Sequence, residues 1–219
     1  MRILDIALSV IAVVILVFLL PILAILIKLD SRGTVFFSQA RLGRMGTEFE
    51  VLKFRTMQAD AEGIFNADGS RHVGCHDPRI TRVGRVLRLG LDELPQTLNI
   101  LRGEMSFIGP RPDDVFATQH YRGLEWLKLS ITPGITGLAQ VTGRNQLQWH
   151  ERMKYDIFYA YNRNLRMDLK IIWRTLAMLV KIEISRPVVT LAEVEEFLLT
   201  PTLINDADRV RQNIQTAPV

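Results

Sequence analysis

The sequence predicts an α+β protein that is mostly helical, carries a small β element and inserts its N-terminal helix into a membrane. Three observations predict this class. An apolar segment at residues 6–27 opens the 219-residue chain, residues 48–55 alternate as a strand does, and several later segments have helical periodicity. Hydrophobic residues make up 48% of the chain although 23% are charged, which indicates that the apolar residues are concentrated in segments.

The N-terminal apolar segment, residues 6–27, is long enough to cross about 30 Å of hydrocarbon as a helix. Ser9 is its polar side chain and Pro21 is its helix breaker. Length favours a helix that spans the bilayer, whereas Pro21 removes a backbone N–H and allows a re-entrant helix that returns to the same face. Lys28 and Arg32 follow the segment, so the positive-inside rule places the bulk of the chain in the cytoplasm.

The predicted strand at residues 48–55, EFEVLKFR, places Lys53 and Arg55 on one face. Cations on a strand are ordinarily solvated surface. Because apolar residues flank this strand, a clamp on phosphate is the alternative. Further along, arginines recur at every third position and end on Arg88, which indicates either a solvated helix face or a positive flank beside phosphate or membrane headgroups.

Two adjacent carboxylates, Asp92 and Glu93, begin the stretch LDELPQTLNILRGEMSFIGPRP. Three leucines with the spacing of a buried helix face follow them: Leu94, Leu98 and Leu101. Pro95 fits only the first turn of that helix, so the two carboxylates lie at its N-terminal end, which stabilises anions and attracts phosphate. A helix cap explains Asp92 alone. The neighbouring Glu93 indicates that a cation or a reaction needs the pair.

Two Gly/Pro-rich stretches each carry an arginine. Gly109 to Pro112 form a rigid GPRP turn around Arg111, and residues 132–144, TPGITGLAQVTGR, end on Arg144. Prolines restrict both their own φ and the preceding residue, so Arg111 is held with little freedom. Arginine suits bidentate contact with phosphate, and Gly-rich loops bring N–H groups close to an anion. Both stretches therefore predict anion binding.

The C-terminal part of the chain is predicted to be helical from Trp149 onward. Its most apolar segment, residues 169–182, is interrupted by three cations, so we expect a helix that packs on a core or lies on a membrane surface rather than one that spans. Asp168 precedes this segment as a candidate cap. Residues 190–219 contain a short amphipathic piece, AEVEEFLL, and otherwise predict an appendage.

The order of four motifs resembles the bacterial sugar transferase family: KFRTM (53–57), DPRITRVGRVLR (77–88), LDELPQTLNILRGEMSFIGPRP (91–112) and PGITGLAQVTGRN (133–145). The resemblance runs from about residue 3 to about residue 187. It implies a monotopic phosphoglycosyl transferase on the cytoplasmic face of the bacterial inner membrane. Such enzymes transfer sugar-1-phosphate from a UDP-sugar to polyprenol (undecaprenyl) phosphate and release UMP, as the first membrane step of exopolysaccharide, O-antigen or glycoconjugate assembly.

The resemblance also implies residue roles. Asp92 is the nucleophile that forms a covalent phosphosugar intermediate, and Glu93 helps to hold Mg²⁺ as cofactor. The N-terminal helix is re-entrant and broken at Pro21, in place of the spanning helix that length favours. The residues expected to bind substrate or phosphate include the cations of the predicted strand and the last arginine of the series that follows it. The full set is Lys53, Arg55, Arg88, Arg111, Arg144 and Asp168.

The predicted organisation is an N-terminal membrane helix at residues 1–29, a cytoplasmic transferase domain at residues 30–189 and a C-terminal extension at residues 190–219. The competing interpretation is a membrane-tethered basic protein that binds nucleic acid or anionic lipid without catalysis, since the net charge is +4. The transferase interpretation expects no nucleic-acid partner, because no aromatic residues interleave with the arginines. It leaves a homo-oligomer open.

Overall fold

The computed structural model describes residues 2–58, 77–143, 147–180, 182, 184 and 187–216. Within these residues the chain is mostly helical with two small sheets, which confirms the predicted mostly helical α+β composition. The chain divides into two compact units. Unit 1 comprises Met1–Gln39 and Glu50–Gly103, and unit 2 comprises Ala40–Phe49 and Glu104–Val219.

The described elements are as follows. The α-helices are α1 (Arg2–Asp30), α2 (Arg82–Leu87), α3 (Gln96–Arg102), α4 (Leu138–Gly143), α5 (Trp149–Asn162), α6 (Leu165–Leu179), α7 (Leu191–Leu198) and α8 (Thr202–Thr216). Short 3₁₀ helices occupy Arg44–Gly46, Leu91–Glu93, Val115–Gln119 and Gly123–Ser130. The strands are β1 (Phe36–Leu42), β2 (Glu48–Phe54), β3 (Ser106–Ile108) and β4 (Gly134–Thr136); β1 pairs with β2, and β3 pairs with β4 in parallel.

Helix α1 is long and apolar enough to cross a membrane by length and composition, and it continues through Pro21. Most of its surface is exposed apolar side chains, but one stripe is buried: Asp5, Ser9, Leu16, Leu23 and Ile27. The three apolar members of this stripe pack with Phe54 and Leu87. Helix α1 is therefore attached to the rest of unit 1 along one side and leaves its other sides free for lipid.

The hydrophobic core of unit 2 gathers residues from the β3–β4 sheet and from helices α4 to α7. Its buried members include Ile108, Leu138, Tyr159, Ile171 and Val194. Val194 belongs to α7, within the stretch that the sequence predicts to be an appendage. The C-terminal residues thus contribute to the core of this unit.

Helix α8 also packs into unit 2. Leu203 and Ala207 are 2% and 3% exposed and cluster with Leu127 of the Gly123–Ser130 helix and with Ile157 of α5. Polar residues dominate the rest of α8, so its buried face is narrow. This face covers the side of the Gly123–Ser130 helix that would otherwise expose Leu127.

Truncation of Leu203 tests whether α8 is an integral part of unit 2. We expect Leu203→Ala to lower the free energy of unfolding by about 2–4 kcal/mol, because it opens a cavity in a fully buried cluster. The matched control is Ile204→Ala on the same helix, where the side chain is 60% exposed and the expected change is about 0.5 kcal/mol or less. Thermal unfolding in detergent measures both; equal losses for the two variants would contradict the packing of α8.

Candidate functional site

The two adjacent carboxylates, Asp92 and Glu93, lie on the 3₁₀ turn Leu91–Glu93. The residue before this turn, Gly90, has a φ of 124°, which a side chain would strain. Leu94 and Pro95 continue in helical conformation into α3, so the turn forms the N-terminal entry of that helix as the sequence predicts. Both carboxylates are partly exposed.

Lys53 reaches the carboxylate pair from strand β2. Its Nζ lies 2.8 Å from Oε1 of Glu93, and the two side chains are 24% and 21% exposed. A cation at this distance reduces the repulsion between the two neighbouring carboxylates. The structure thus brings together three residues that the sequence identified: Lys53, Asp92 and Glu93.

Asn99 fixes α3 against β2 beside Lys53. This residue is fully buried, its Oδ1 accepts from the Leu52 N–H at 3.1 Å, and its Nδ2 donates to the Glu50 carbonyl at 2.7 Å. Together these two hydrogen bonds hold the helix that follows the carboxylates in register with the strand that carries Lys53. Sequence reasoning missed Asn99. Its signal is an amide in the interior of a helix rich in leucine, where asparagine is unfavourable without a partner.

Arg88 lies at the C-terminal end of α2, shortly before the carboxylates in the chain. Its Nε donates to Oγ1 of Thr56 at 3.0 Å. Burial lowers the pKa of the Arg88 guanidinium, and the negative charges of Asp92 and Asp77 oppose that shift. Arg88 therefore acts electrostatically on Asp92. Thr56 lies in the KFRTM motif, but sequence reasoning assigned it no role.

Arg55 is held by backbone carbonyls of the segment after α1. It is 6% exposed, its Nη2 donates to the Ser31 carbonyl at 2.8 Å, and its Nη1 donates to the Arg32 carbonyl. These bonds connect the end of β2 to the segment that follows α1. The described contacts of Arg55 are structural, and its role in substrate binding stays a prediction.

Arg111 stands on the GPRP turn of unit 2, directly after β3. The Gly134 N–H donates to the Pro110 carbonyl at 2.8 Å, and the Gly109 N–H donates to the Thr136 carbonyl at 2.9 Å. A Cβ on Gly134 would lie 2.1 Å from the Gly109 nitrogen, so the close approach requires glycine. The two Gly/Pro-rich stretches of the sequence are therefore neighbouring segments, and the exposed Arg111 projects from a tightly packed turn.

Arg144 and Asp168 are the remaining residues that are predicted to bind substrate or phosphate. Arg144 lies outside the described residues. Asp168 is 4% exposed in the first turn of α6, and its Oδ1 accepts from the Tyr159 hydroxyl at 2.7 Å. The cap of α6 is Asn164, whose side chain accepts from the Met167 N–H, so the expectation that Asp168 caps the helix is wrong. Helix α6 begins at Leu165, before the apolar segment at residues 169–182, because the Asn164 side chain caps its first turn.

The carboxylate pair fits a magnesium ion that arrives with a phosphate. Within the part of the chain that the structure describes, no group of three or more His, Cys, Asp or Glu side chains could hold a metal ion. Mg²⁺ commonly uses one or two carboxylates and takes its other ligands from substrate phosphates and water. Asp92 and Glu93 supply a donor set of this kind.

Comparison with known proteins finds the same family that the order of the motifs indicates. The family model for bacterial sugar transferases matches residues 1–182. The exopolysaccharide production protein ExoY of Sinorhizobium fredii is 36% identical over 184 residues, which cover 78% of this chain and 81% of that protein. The UDP-glucose:undecaprenyl-phosphate glucose-1-phosphate transferase of Caulobacter vibrioides is 41% identical over 187 residues, covering 81% of this chain and 68% of that protein.

A longer relative shows the same similarity over a part of its length. The undecaprenyl-phosphate glucose phosphotransferase of Komagataeibacter xylinus is 40% identical over 190 residues, which cover 80% of this chain and 35% of that protein. The match of the family model over most of the chain, and the relatives that are covered over two thirds of their length or more, lead to one conclusion. The chain belongs to the bacterial sugar transferase family.

Proposed function

We propose that this protein transfers sugar-1-phosphate from a UDP-sugar to undecaprenyl phosphate and releases UMP, as the first membrane step of exopolysaccharide or glycoconjugate assembly. The observation that carries the proposal is the Asp92–Glu93 pair at the entry of α3, with Lys53 in contact with Glu93 and Arg88 acting on Asp92. A relative named as a UDP-glucose:undecaprenyl-phosphate glucose-1-phosphate transferase is 41% identical to the aligned part of the chain, and one named as an undecaprenyl-phosphate glucose phosphotransferase is 40% identical.

The chemistry follows from the carboxylate and its neighbours. An oxygen of Asp92 attacks the β-phosphorus of the UDP-sugar, the bond from that phosphorus to the bridging oxygen breaks, and UMP leaves with the bridging oxygen. Asp92 then carries the phosphosugar as an acyl phosphate. A phosphate oxygen of undecaprenyl phosphate attacks the same phosphorus, which forms the lipid-linked product and restores the Asp92 carboxylate.

The attack of an anion on a pyrophosphate requires that the negative charges be offset. Lys53 and Arg88 supply cations beside the carboxylates. Glu93, with Asp92 beside it, would hold Mg²⁺, which supplies further positive charge at the pyrophosphate oxygens when bound. Arg111 binds a phosphate group of a substrate through its guanidinium.

The proposed reaction is tested by UMP release from the purified protein in detergent or nanodiscs, with undecaprenyl phosphate and a panel of UDP-sugars. We expect release with at least one donor, loss of release with EDTA, and recovery with added Mg²⁺. Folded protein that stays silent with every donor, and that binds anionic vesicles with a steep salt dependence, would favour the non-catalytic basic protein instead.

We also propose that both ends of α1 lie on the cytoplasmic side of the membrane, as in the expected re-entrant topology, although the helix is continuous through Pro21 rather than broken there. What supports this topology is the attachment of both ends of α1 to unit 1. Near its start, Arg2 donates to the Ile100 and Leu101 carbonyls at the C-terminal end of α3, the latter at 2.7 Å; near its end, Ile27 is 2% exposed and packs with Leu87. A helix held at both ends by one unit cannot place those ends on opposite faces of a bilayer unless it detaches.

Cysteine labelling tests the topology of α1. In a Cys75→Ser background, we expect Ile3→Cys and Leu29→Cys, at positions 85% and 80% exposed, to react with a membrane-impermeant maleimide in inside-out vesicles and to be protected in intact cells. Phe18→Cys, at the middle of the helix, is the control that reacts in neither preparation. Labelling of Ile3→Cys from the outer face alone would establish a spanning helix.

Helix α6 is a second candidate for contact with lipid. Large apolar side chains follow one exposed stripe of this helix: Leu165, Leu169, Trp173, Leu176 and Leu179. Arg166 and Lys170 flank this stripe. An exposed apolar stripe with flanking cations is typical of a helix that lies in the membrane interface. This stripe supports the prediction that unit 2 carries a surface-lying helix.

A further inference from the structure

A cluster of buried charges lies behind the GPRP turn in unit 2. The Nζ of Lys128 is 2.7 Å from Oδ2 of Asp113 and 3.1 Å from Oδ2 of Asp156, and the Lys128 side chain is 6% exposed. The Tyr121 hydroxyl donates to Oδ2 of Asp113 at 2.6 Å. Asp113 directly follows Pro112, so one carboxylate of the cluster belongs to the chain that leaves the turn.

Lys128 keeps its charge in spite of its burial, whereas burial raises the pKa of its partner Asp156 to about 6. Desolvation acts to lower the pKa of Lys128, but Asp113 and Asp156 outweigh it and the pKa is raised overall. The ammonium group is therefore retained at neutral pH. A buried ion pair of this kind seldom adds net stability compared with apolar residues of the same volume, but it does specify one arrangement of the groups that it joins. The arrangement specified here is that of the chain around Asp113.

Backbone and side-chain bonds complete the attachment of the turn. The Leu42 N–H donates to the Asp113 carbonyl at 2.9 Å, and Arg41 lies 3.2 Å from Oδ1 of Asp114. On the other side of the turn, the Pro110 carbonyl accepts from Gly134. Arg111 thus lies between two anchored residues, Pro110 and Asp113. The same small cavity is lined by Arg111, Asp113 and Lys128, among other residues.

The helix that carries Lys128 is itself held in place. Leu127, the preceding residue, is fully buried against Leu203 of α8 and Ile157 of α5. Lys128 is therefore fixed from one side by the C-terminal helix and from the other by Asp113 and Asp156. Because Lys128 is held in place, the Asp113 carboxylate that it contacts is held as well, and with it the end of the GPRP turn.

We propose that Lys128, through its ion pair with Asp113, is a positioning residue that fixes the GPRP turn so that Arg111 meets a substrate phosphate in a single geometry. The proposal rests on the phosphate-binding role proposed for Arg111. Lys128 itself is too deeply buried to contact substrate, and it acts only through the chain at Asp113. Tyr121 and Asp156 complete the hydrogen bonds and charges of the same cluster.

A double-mutant cycle between Lys128 and Arg111 tests the proposal. We expect Lys128→Met and Arg111→Ala each to lower kcat/KM for the UDP-sugar by about tenfold or more, and the double variant to be within about twofold of Arg111→Ala alone. Residues that act through one another show this non-additivity, whereas a general loss of stability would multiply the two effects. Lys154→Met is the control, since its ion pair with Glu195 is exposed and kcat/KM should not change.

If the Lys128→Met protein does not fold, Tyr121→Phe provides a milder test of the same cluster. Tyr121→Phe deletes one hydroxyl from the cluster, and we expect a loss of about threefold in kcat/KM that disappears in the Arg111→Ala background. Additive losses would overturn the positioning role while leaving that of Arg111 intact. An Arg111→Ala variant with unchanged kcat/KM would instead overturn the phosphate role of Arg111, and the positioning role with it.

Discussion

Replacement of Asp92 by asparagine is expected to lower turnover by about 10³-fold or more, because a carboxamide cannot attack phosphorus and form the covalent intermediate. Asparagine has nearly the same shape, and the 3₁₀ turn on which Asp92 lies is formed by backbone bonds, so folding should be retained. The measurement is steady-state UMP release with donor and undecaprenyl phosphate, alongside thermal unfolding.

The control for Asp92→Asn is Asp208→Asn, which removes an exposed carboxylate from α8. We expect its turnover to equal that of the wild type. An Asp92→Asn protein that keeps turnover within about tenfold of the wild type would show that another group attacks the phosphorus, since loss of a required nucleophile costs far more.

Replacement of Lys53 by methionine is expected to lower kcat/KM for the UDP-sugar by about 10²-fold. The substitution removes the cation that lies 2.8 Å from Glu93 and leaves the two carboxylates to repel the incoming pyrophosphate. Because the Lys53–Glu93 pair is partly exposed, its loss should change the free energy of unfolding by about 1 kcal/mol or less. The Lys53→Met variant should therefore lose activity while its stability stays close to that of the wild type.

A second substitution distinguishes the electrostatic role of Lys53 from a role in the ion pair alone. In Lys53→Met/Glu93→Gln neither member of the pair is charged, so any strain from an unpaired Glu93 is removed. We expect thermal stability to return to that of the wild type while kcat/KM stays low. Glu93→Gln alone is the reference, because it removes a proposed Mg²⁺ ligand but keeps Lys53, and we expect the double variant to be less active than it. Equal kcat/KM for these two variants would show that Lys53 serves only to neutralise Glu93.

The parts of the fold that the sequence predicts are those that local periodicity specifies. The apolar run of α1 and the alternation in β2 each depend on residues within one element. The same is true of the placement of Asp92 and Glu93, because Pro95 marks the first turn of the helix that follows. These features need no knowledge of which elements become neighbours. The leucine spacing predicts the helix α3 but not its buried face: the buried residues are Gln96, Thr97, Asn99 and Ile100, while the three leucines are only partly buried.

The features that sequence reasoning missed depend on contacts between distant parts of the chain. Asn99 is ambiguous until the backbone of β2 supplies its two partners, which are 49 and 47 residues away. Lys128 looks like a surface cation until Asp113 and Asp156 converge on it. Helix α8 is mostly polar, so its sequence does not indicate a buried face. Leu203 and Ala207 are buried only because they pack against Leu127, which is distant in the chain.

The two Gly/Pro-rich stretches illustrate the same limit within unit 2. Each one predicts a turn, but their parallel pairing, with Ser106 opposite Gly134 and Ile108 opposite Thr136, is set by tertiary packing. The requirement for glycine at position 134 follows from that pairing. Sequence spacing alone indicates the residue types of the site, and the fold determines which of them are held rigidly.

The most direct test of the proposed mechanism is the reaction of the purified protein with UDP-sugar in the absence of undecaprenyl phosphate. The covalent mechanism predicts stoichiometric release of UMP and a gain in intact mass equal to one phosphosugar, located on the peptide that contains Asp92. The added mass should be lost when undecaprenyl phosphate is added. A protein that turns over with both substrates, yet forms no adduct and releases no UMP before the acceptor is present, would contradict the covalent mechanism and establish direct transfer between the two substrates.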